Sequence, residues 1–449
     1  MIRKNIARVR EHLKEPLHLA AWSVMFSSVL TSGIGLLFWA FAAYVYDIDT
    51  VGRDQALIFA MMMLATVFQM NMTNAAVRFL PQVREKLGLR IIQAYAIAGV
   101  FSLIAGLAFA LVAPSISSEY DFIRDDPWLV PTFAVATALW AIFLVQDPVL
   151  MALGKANWMP GKNAIYSISK LALLPLFFWV ASSHGIFLAW IIPVAIIVPI
   201  VDYLIARKAV PAATHAQRNA GGVVDAFGHP RALAKFVMQD FVGSSAAHVA
   251  IYITPVMTFA LLGPEANALY SLPFVIVAGL DLLFEAFVVS LTAEGARSPE
   301  RIKHLTDLVV KRMLKIQFPA SFAVFLAAPL LMLPFPAEYG EQGTAVVRII
   351  AIAGFFRAVL LFYEAVARLQ GHGNRLLWIQ LTNTVLLVGL VLVLAPAWGI
   401  KGSASAWLFA AMASALFVLP WLIGFIRNPN VLTGGNTTTD FDATIDRSS

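Results

Sequence analysis

Arg78, Asp147, Lys170, Asp281, Glu285, Arg357 and Glu364 stand inside long apolar stretches of this chain or at their ends. A charged side chain at the centre of a bilayer costs about 2.5–3.5 kcal/mol on insertion scales, so each such residue needs a reason. The stretch VRIIAIAGFFRAVLLFYEAVARLQG (347–371) carries Arg357 near its middle, too deep to reach either interface. Glu364 follows on nearly the same helical face, about 10 Å further along. Arg368, one turn beyond, is placed to pair with that carboxylate. Lys170 in YSISKLALLPLFFW is also mid-stretch; it either meets a buried carboxylate or faces a hydrated interior. Asp281 and Glu285 lie one turn apart on one face, an arrangement suited to a proton or cation site. They could equally neutralise Lys170 or Arg357. Arg78 in NAAVRFLP closes a stretch, where snorkelling and topology anchoring compete with a binding role. Arg348 belongs to an outer rim, and His248 in GSSAAHVAIY reads as hydrogen-bonded structure rather than a relay.

The elements that hold these residues follow from composition. The chain has 449 residues, 60% of them hydrophobic and 13% charged, with mean hydropathy +0.78. Soluble domains carry about 25% charged residues, and repeated apolar runs of about 20 residues read as transmembrane helices. We read twelve: 22–46, 54–77, 91–113, 128–150, 160–181, 185–206, 236–262, 266–290, 313–335, 343–369, 375–397 and 400–426. Of the 32 Lys and Arg, 26 lie on one side when those at span ends are included, which places both termini in the cytoplasm. The same asymmetry accounts for the net charge of +6 and the pI near 9.5, so nucleic-acid binding drops out. Absence of Cys excludes thiolate metal sites, disulfides and a Cys nucleophile.

The spans fall into two sets. Residues 1–21 form a cytoplasmic amphipathic segment, 22–206 a first lobe of six helices, and 207–235 a basic linker. Residues 236–426 form a second lobe of six, and 427–449 a polar, disordered tail. Two sets of six that both start inside predict parallel repeats. LVQDPVLMALGKAN (144–157) and LLFYEAVARLQGHGN (360–374) align at an offset of 217, which pairs Asp147 with Glu364, Gly154 with Gly371 and Asn157 with Asn374. HGIF (184–187) and WGIK (398–401) match as outer turns. The expected fold is therefore all-α and integral to the membrane, two six-helix lobes around a central cavity. That cavity is cationic in its middle (Lys170, Arg357), with acids (Asp147, Asp281, Glu285, Glu364) toward the cytoplasm. Arg grips phosphate through paired hydrogen bonds and Lys as a point charge.

With those residues in hand, the chain resembles the polysaccharide-transport branch of the multidrug/oligosaccharidyl-lipid/polysaccharide exporter superfamily, the flippases of lipid-linked oligosaccharides. TSGIGLLFWAFAAYVY, VGRDQAL, NAAVRFLP, ALGKANWMPGKNAIYSISKLALLP, EAFVVSLTAEGARSPE and FFRAVLLFYEAVARLQGHGNRLL carry the resemblance, which extends from about residue 20 to 426. It implies a V-shaped cavity that opens alternately to each side of the cell membrane. It implies a polyprenyl-diphosphate-linked glycan as substrate and partners among glycan polymerases and glycosyltransferases. By position, Arg78, Lys170 and Arg357 would contact the headgroup, and Asp147, Asp281, Glu285 and Glu364 would couple to protons or sodium; no other cofactor is implied. Two other readings stand: a drug or metabolite exporter of the same fold, and a membrane enzyme using polyprenyl-linked sugars. The enzyme would need large outer loops or a nucleotide-sugar domain, and the sequence has neither; nor does it carry a P-loop.

Overall fold

The computed structural model describes residues 33–83, 86–181, 183–219, 230–297, 302–370 and 372–427. The side chains of 215–219, 230–240, 242, 244, 278, 280–287, 289–297, 302 and 305, Asp281 and Glu285 included, lie outside the described residues. So do the expected segment 1–21, residues 220–229 of the expected linker, and the tail beyond Arg427. Every regular element among the described residues is helical: α1 (Gly33–Val45), α2 (Ile48–Phe68), α3 (Met72–Phe79), α4 (Leu87–Ile116), α5 (Leu129–Ala152), α6 (Met159–Val180), α7 (Gly185–Leu204), α8 (Pro230–Arg297), α9 (Phe318–Met332), α10 (Ala337–Leu369), α11 (Gly373–Trp398) and α12 (Ile400–Arg427), with shorter helices between some of them.

Ten helices among the described residues are long and apolar enough to cross a membrane, against the twelve expected. Two causes account for the difference. The first expected span is described only from Gly33, as the short apolar α1. Expected spans seven and eight join in one helical run, α8, broken at Gly263 with φ 85° and ψ −178°. That φ is one a side chain resists and glycine tolerates. Pro264 follows it, so the break falls in LGPEA (262–266), where expected spans seven and eight meet.

The chain divides into two compact units. The first gathers the described residues of Met1–Tyr46, Leu64–Ile116 and Tyr120–Met238, the second those of Asp47–Met63, Ser117–Glu119 and Gln239–Ser449. In the first unit α4 packs on α5, α5 on α7, and α6 on α7. In the second α9 packs on α10, α10 on α12, and α11 on α12. This is one packing scheme used twice.

Small residues make the close packing possible. Along α4, Ala94, Ala98, Ser102, Gly106, Ala110 and Pro114 recur every four residues, and all are buried. A Cβ on Gly106 would come within 2.8 Å of Thr137 Oγ1 and 3.1 Å of the Ala134 Cα, both on α5, so glycine is what lets the two helices approach this closely. In a bilayer such small-residue seams replace the hydrophobic drive that water would supply. The opposite face of α4 presents Ile92, Val100, Ile104 and Leu111, exposed and apolar as a lipid-facing surface requires. In the second unit Gly52 of α2 lies against Pro264, and Asn267 Nδ2 donates to the Gly52 carbonyl at 2.8 Å.

The offset of 217 seen in the sequence recurs in the backbone. Helix α5 ends with Lys155 N–H donating to Leu150 O at 2.7 Å, and α10 with His372 N–H donating to Ala367 O at 2.9 Å. One residue earlier in the first unit, Gly154 has φ +69°, the left-handed position of a helix-ending turn.

Candidate functional site

Lys170 projects from α6 into an aromatic cluster of the first unit and is only 4% exposed. Its Nζ lies 3.5 Å from the Trp190 ring centre, 5.0 Å from Phe38 and 5.2 Å from Tyr166. Trp39 and Trp140 extend the cluster, with ring centres 5.7 and 6.2 Å from Trp190. Among the described residues no carboxylate pairs with this ammonium. A desolvated cation over an indole face gains about 2 kcal/mol. Burying an ion costs several kcal/mol even after relaxation, so the rings offset only part of the penalty.

Arg357, half-buried on α10, holds its guanidinium 4.9 Å from the centre of the buried Trp407 ring. Trp407 in turn meets Phe274 edge-on at 5.4 Å. Trp190 and Trp407 are 217 residues apart, so each unit lays a cation on the equivalent tryptophan. The cation comes from a different helix in each: from α6 in the first unit, and from α10 in the second, where Arg357 occupies the position of Trp140.

Two of the four candidate acids, Asp147 and Glu364, are engaged by neighbouring side chains. Lys162 Nζ lies 2.7 Å from Asp147, donates to the Phe143 carbonyl at 3.1 Å and sits 3.7 Å over the Phe143 ring. Asn163 Nδ2 donates to Asp147 at 3.2 Å. In the second unit Gln380 Nε2 donates to Glu364 at 3.0 Å and Arg368 pairs with the same carboxylate at 3.1 Å. Asn163 and Gln380 are again 217 apart, so the carboxylate–amide bond is part of the repeat. Nearby, Gln146 donates both to Asp202 at 2.8 Å and to the Val198 carbonyl at 3.0 Å. Arg78 ends α3 exposed, 5.5 Å over Phe79, and Arg348 is exposed over Phe325. Of the seven residues singled out in the sequence, Asp147, Lys170 and Glu364 are not in contact with one another. Each has its own surroundings instead.

Sequence reasoning passed over Lys162, Asp202, Tyr166, Trp190 and Trp407. Lys162 and Asp202 stand near expected span ends, where charge is ordinary. The two tryptophans read as apolar filler, yet they share the offset that links Asp147 to Glu364, and that signal could have found them. Among the described residues no cluster of three or more His, Asp and Glu could hold a metal ion.

Comparison of the sequence with protein-family models and with curated proteins gives no match. Solved structures do match. A multidrug resistance MATE family transporter of the MOP superfamily, in its inward-facing conformation, superposes with TM-score 0.63 at 15% identity, covering 89% of this chain and 94% of its own. An outward-facing structure of such a transporter gives 0.61 at 14% identity, over 92% and 96%. A MOP superfamily transporter from Pyrococcus furiosus Vc1 (DSM3638) gives 0.62 at 15% identity, over 92% and 96%. This chain has the MATE transporter fold. The ten long apolar helices among the described residues, in this fold, make it a multi-pass membrane protein. At this identity the MATE likeness fixes the architecture and leaves the substrate to the residues themselves.

Proposed function

We propose that this protein is a transporter of the cell membrane that moves a polyprenyl-diphosphate-linked oligosaccharide from the cytoplasmic to the outer leaflet by alternating access. The observation that supports this reading is Lys170, a buried cation with no carboxylate partner among the described residues. An interior that retains such a charge suits an anionic cargo better than a cationic drug. Arg357 on Trp407 is the second anion contact, and Arg78 meets the diphosphate at the inner membrane surface. Because Asp147 and Glu364 are engaged by neighbouring side chains, Asp281 and Glu285 are the better candidates for coupling to protons or sodium. Glycosyltransferases and a glycan polymerase would act before and after the transport step.

A drug or metabolite exporter is the second reading, and it is favoured by the neighbours that are multidrug resistance transporters. Against it, the P. furiosus neighbour is described as having a reverse polarity of its binding pocket that suggests a different function, so the fold accommodates more than one charge pattern. The deciding experiment places purified protein in vesicles with a lipid-linked oligosaccharide and follows the accessibility of its sugar on each leaflet. Wild type should equilibrate the lipid, while Lys170→Met and Arg357→Ala should slow it at least tenfold. Movement of cationic dyes with no movement of the lipid would establish the exporter instead.

A further inference from the structure

Two lysines of α6, Lys162 and Lys170, lie eight residues apart, about 12 Å along the helix, and both are buried. Lys162 is fully provided for, with Asp147 at 2.7 Å and the Phe143 carbonyl at 3.1 Å. Lys170 has only ring faces. Two of those rings carry polar atoms that are themselves without a partner: Tyr166 Oη and Trp190 Nε1 are buried and make no hydrogen bond. The residues are 6% and 7% exposed, and their ring centres are 6.3 Å apart. The fold is able to satisfy a buried phenol in this unit, since Tyr46 Oη donates to the Leu174 carbonyl at 2.8 Å. Around Lys170 it supplies three donors, an ammonium, a phenol and an indole N–H, against one side-chain acceptor among them, the phenol's own oxygen.

A cluster in which donors outnumber acceptors and the bonds stay unmade is poor as structure, because each unmade bond keeps its desolvation cost. It is well composed for a ligand that brings acceptors only. We infer that Lys170, Tyr166 and Trp190 form an oxyanion site held entirely within the first unit, taking one phosphate group. A phosphate group of the linked diphosphate, with two non-bridging and two bridging oxygens as acceptors, matches three donors better than a carboxylate, which presents two oxygens. The inference deepens the flippase reading, on which its choice of phosphate rests, by naming the two residues beside Lys170 that would read the cargo's diphosphate. The same chemistry serves a lipid headgroup or free inorganic phosphate, so the test must separate them.

The experiment measures equilibrium binding of undecaprenyl diphosphate, neutral undecaprenol and inorganic pyrophosphate to full-length protein in detergent. It compares wild type with Lys170→Met and Tyr166→Phe, each checked for folding by thermal melting. We expect undecaprenyl diphosphate to bind wild type, to weaken at least tenfold in Tyr166→Phe and further in Lys170→Met, and undecaprenol to bind all three alike. Competition by inorganic pyrophosphate that disappears in the variants supports the site and assigns it to free phosphate as well. Triad-dependent binding of the lipid alone supports it and assigns it to the headgroup. Equal binding by all three proteins overturns the inference, and a carboxylate-bearing prenyl lipid that binds as tightly as the diphosphate overturns the phosphate assignment. If Lys170→Met does not fold, Tyr166→Phe decides, since it keeps the ring and removes only the hydroxyl. Triad-dependent binding without glycan movement across vesicles removes the flippase reading and leaves the site standing. Undiminished movement in both variants does the reverse.

Discussion

Asp147 and Lys162 show what an ion pair does for a membrane helix bundle when only one partner is well buried. The side chain of Lys162 is 2% exposed and that of Asp147 25%. Asp147→Asn should therefore strand a buried ammonium and lower stability by about 3 kcal/mol, read as a fall in melting temperature in detergent. Adding Lys162→Met should recover most of that loss, because it removes the stranded charge. At Lys170 the expectation is opposite in sign. With no cargo bound, Lys170→Met replaces an ammonium that lacks an acidic partner among the described residues by an apolar chain of similar length, and should leave the melting temperature unchanged or raise it. A fall as large as that of Asp147→Asn would mean that Lys170 is a structural cation, and the binding role would lose its support. Both lysines were visible as letters in the sequence. Their different fates were not, because what separates them is a neighbour on another helix.

At the scale of the helix, glycine positions divide cleanly by what a methyl group would meet. On α12 a Cβ at Gly402 would lie 1.8 Å from the Leu394 carbonyl oxygen of α11, and backbone cannot be repacked as a side chain can. On α11 a Cβ at Gly389 would meet nothing within 4 Å. Gly402→Ala should therefore prise α11 and α12 apart and sharply reduce the yield of folded protein. Gly389→Ala should melt at the wild-type temperature or above it, since alanine favours the helix by about 0.8–1.0 kcal/mol over glycine. Comparable losses in both would show that helix propensity rather than backbone approach controls this pair. The helices themselves were legible in the sequence because length and apolarity are local properties. The break at Gly263 was legible too, from LGPEA, since glycine before proline is turn chemistry. What stayed hidden were the partners. Trp190 and Trp407 look like any aromatic in a span, and Asp202 looks like an ordinary charge near an inner end. Only packing reveals that the first two carry cations and that the last accepts from Gln146.

For the whole molecule, the repeat and the charge asymmetry make one joint claim. The bonds Asn163–Asp147 and Gln380–Glu364 stand at equivalent places in the two units. Parallel repeats, both starting inside, would put those bonds on the same side of the membrane. The excess of Lys and Arg names that side as the cytoplasm. The claim can be tested directly because the chain contains no cysteine, so any thiol introduced is the only one. Asp125 and Lys401 are exposed residues on the expected outer side, and Gln82 and Arg427 are exposed on the expected inner side. In intact cells a membrane-impermeant maleimide should label Asp125→Cys and Lys401→Cys. Gln82→Cys and Arg427→Cys should react only after the membrane is opened. Inverting all four would reverse the direction of transport argued from the charges. Labelling of Asp125→Cys but not Lys401→Cys would be more damaging. It would put outer turns of the two units on opposite sides, which parallel repeats do not allow, and the shared offset of 217 would then reflect similar helices rather than a duplicated bundle.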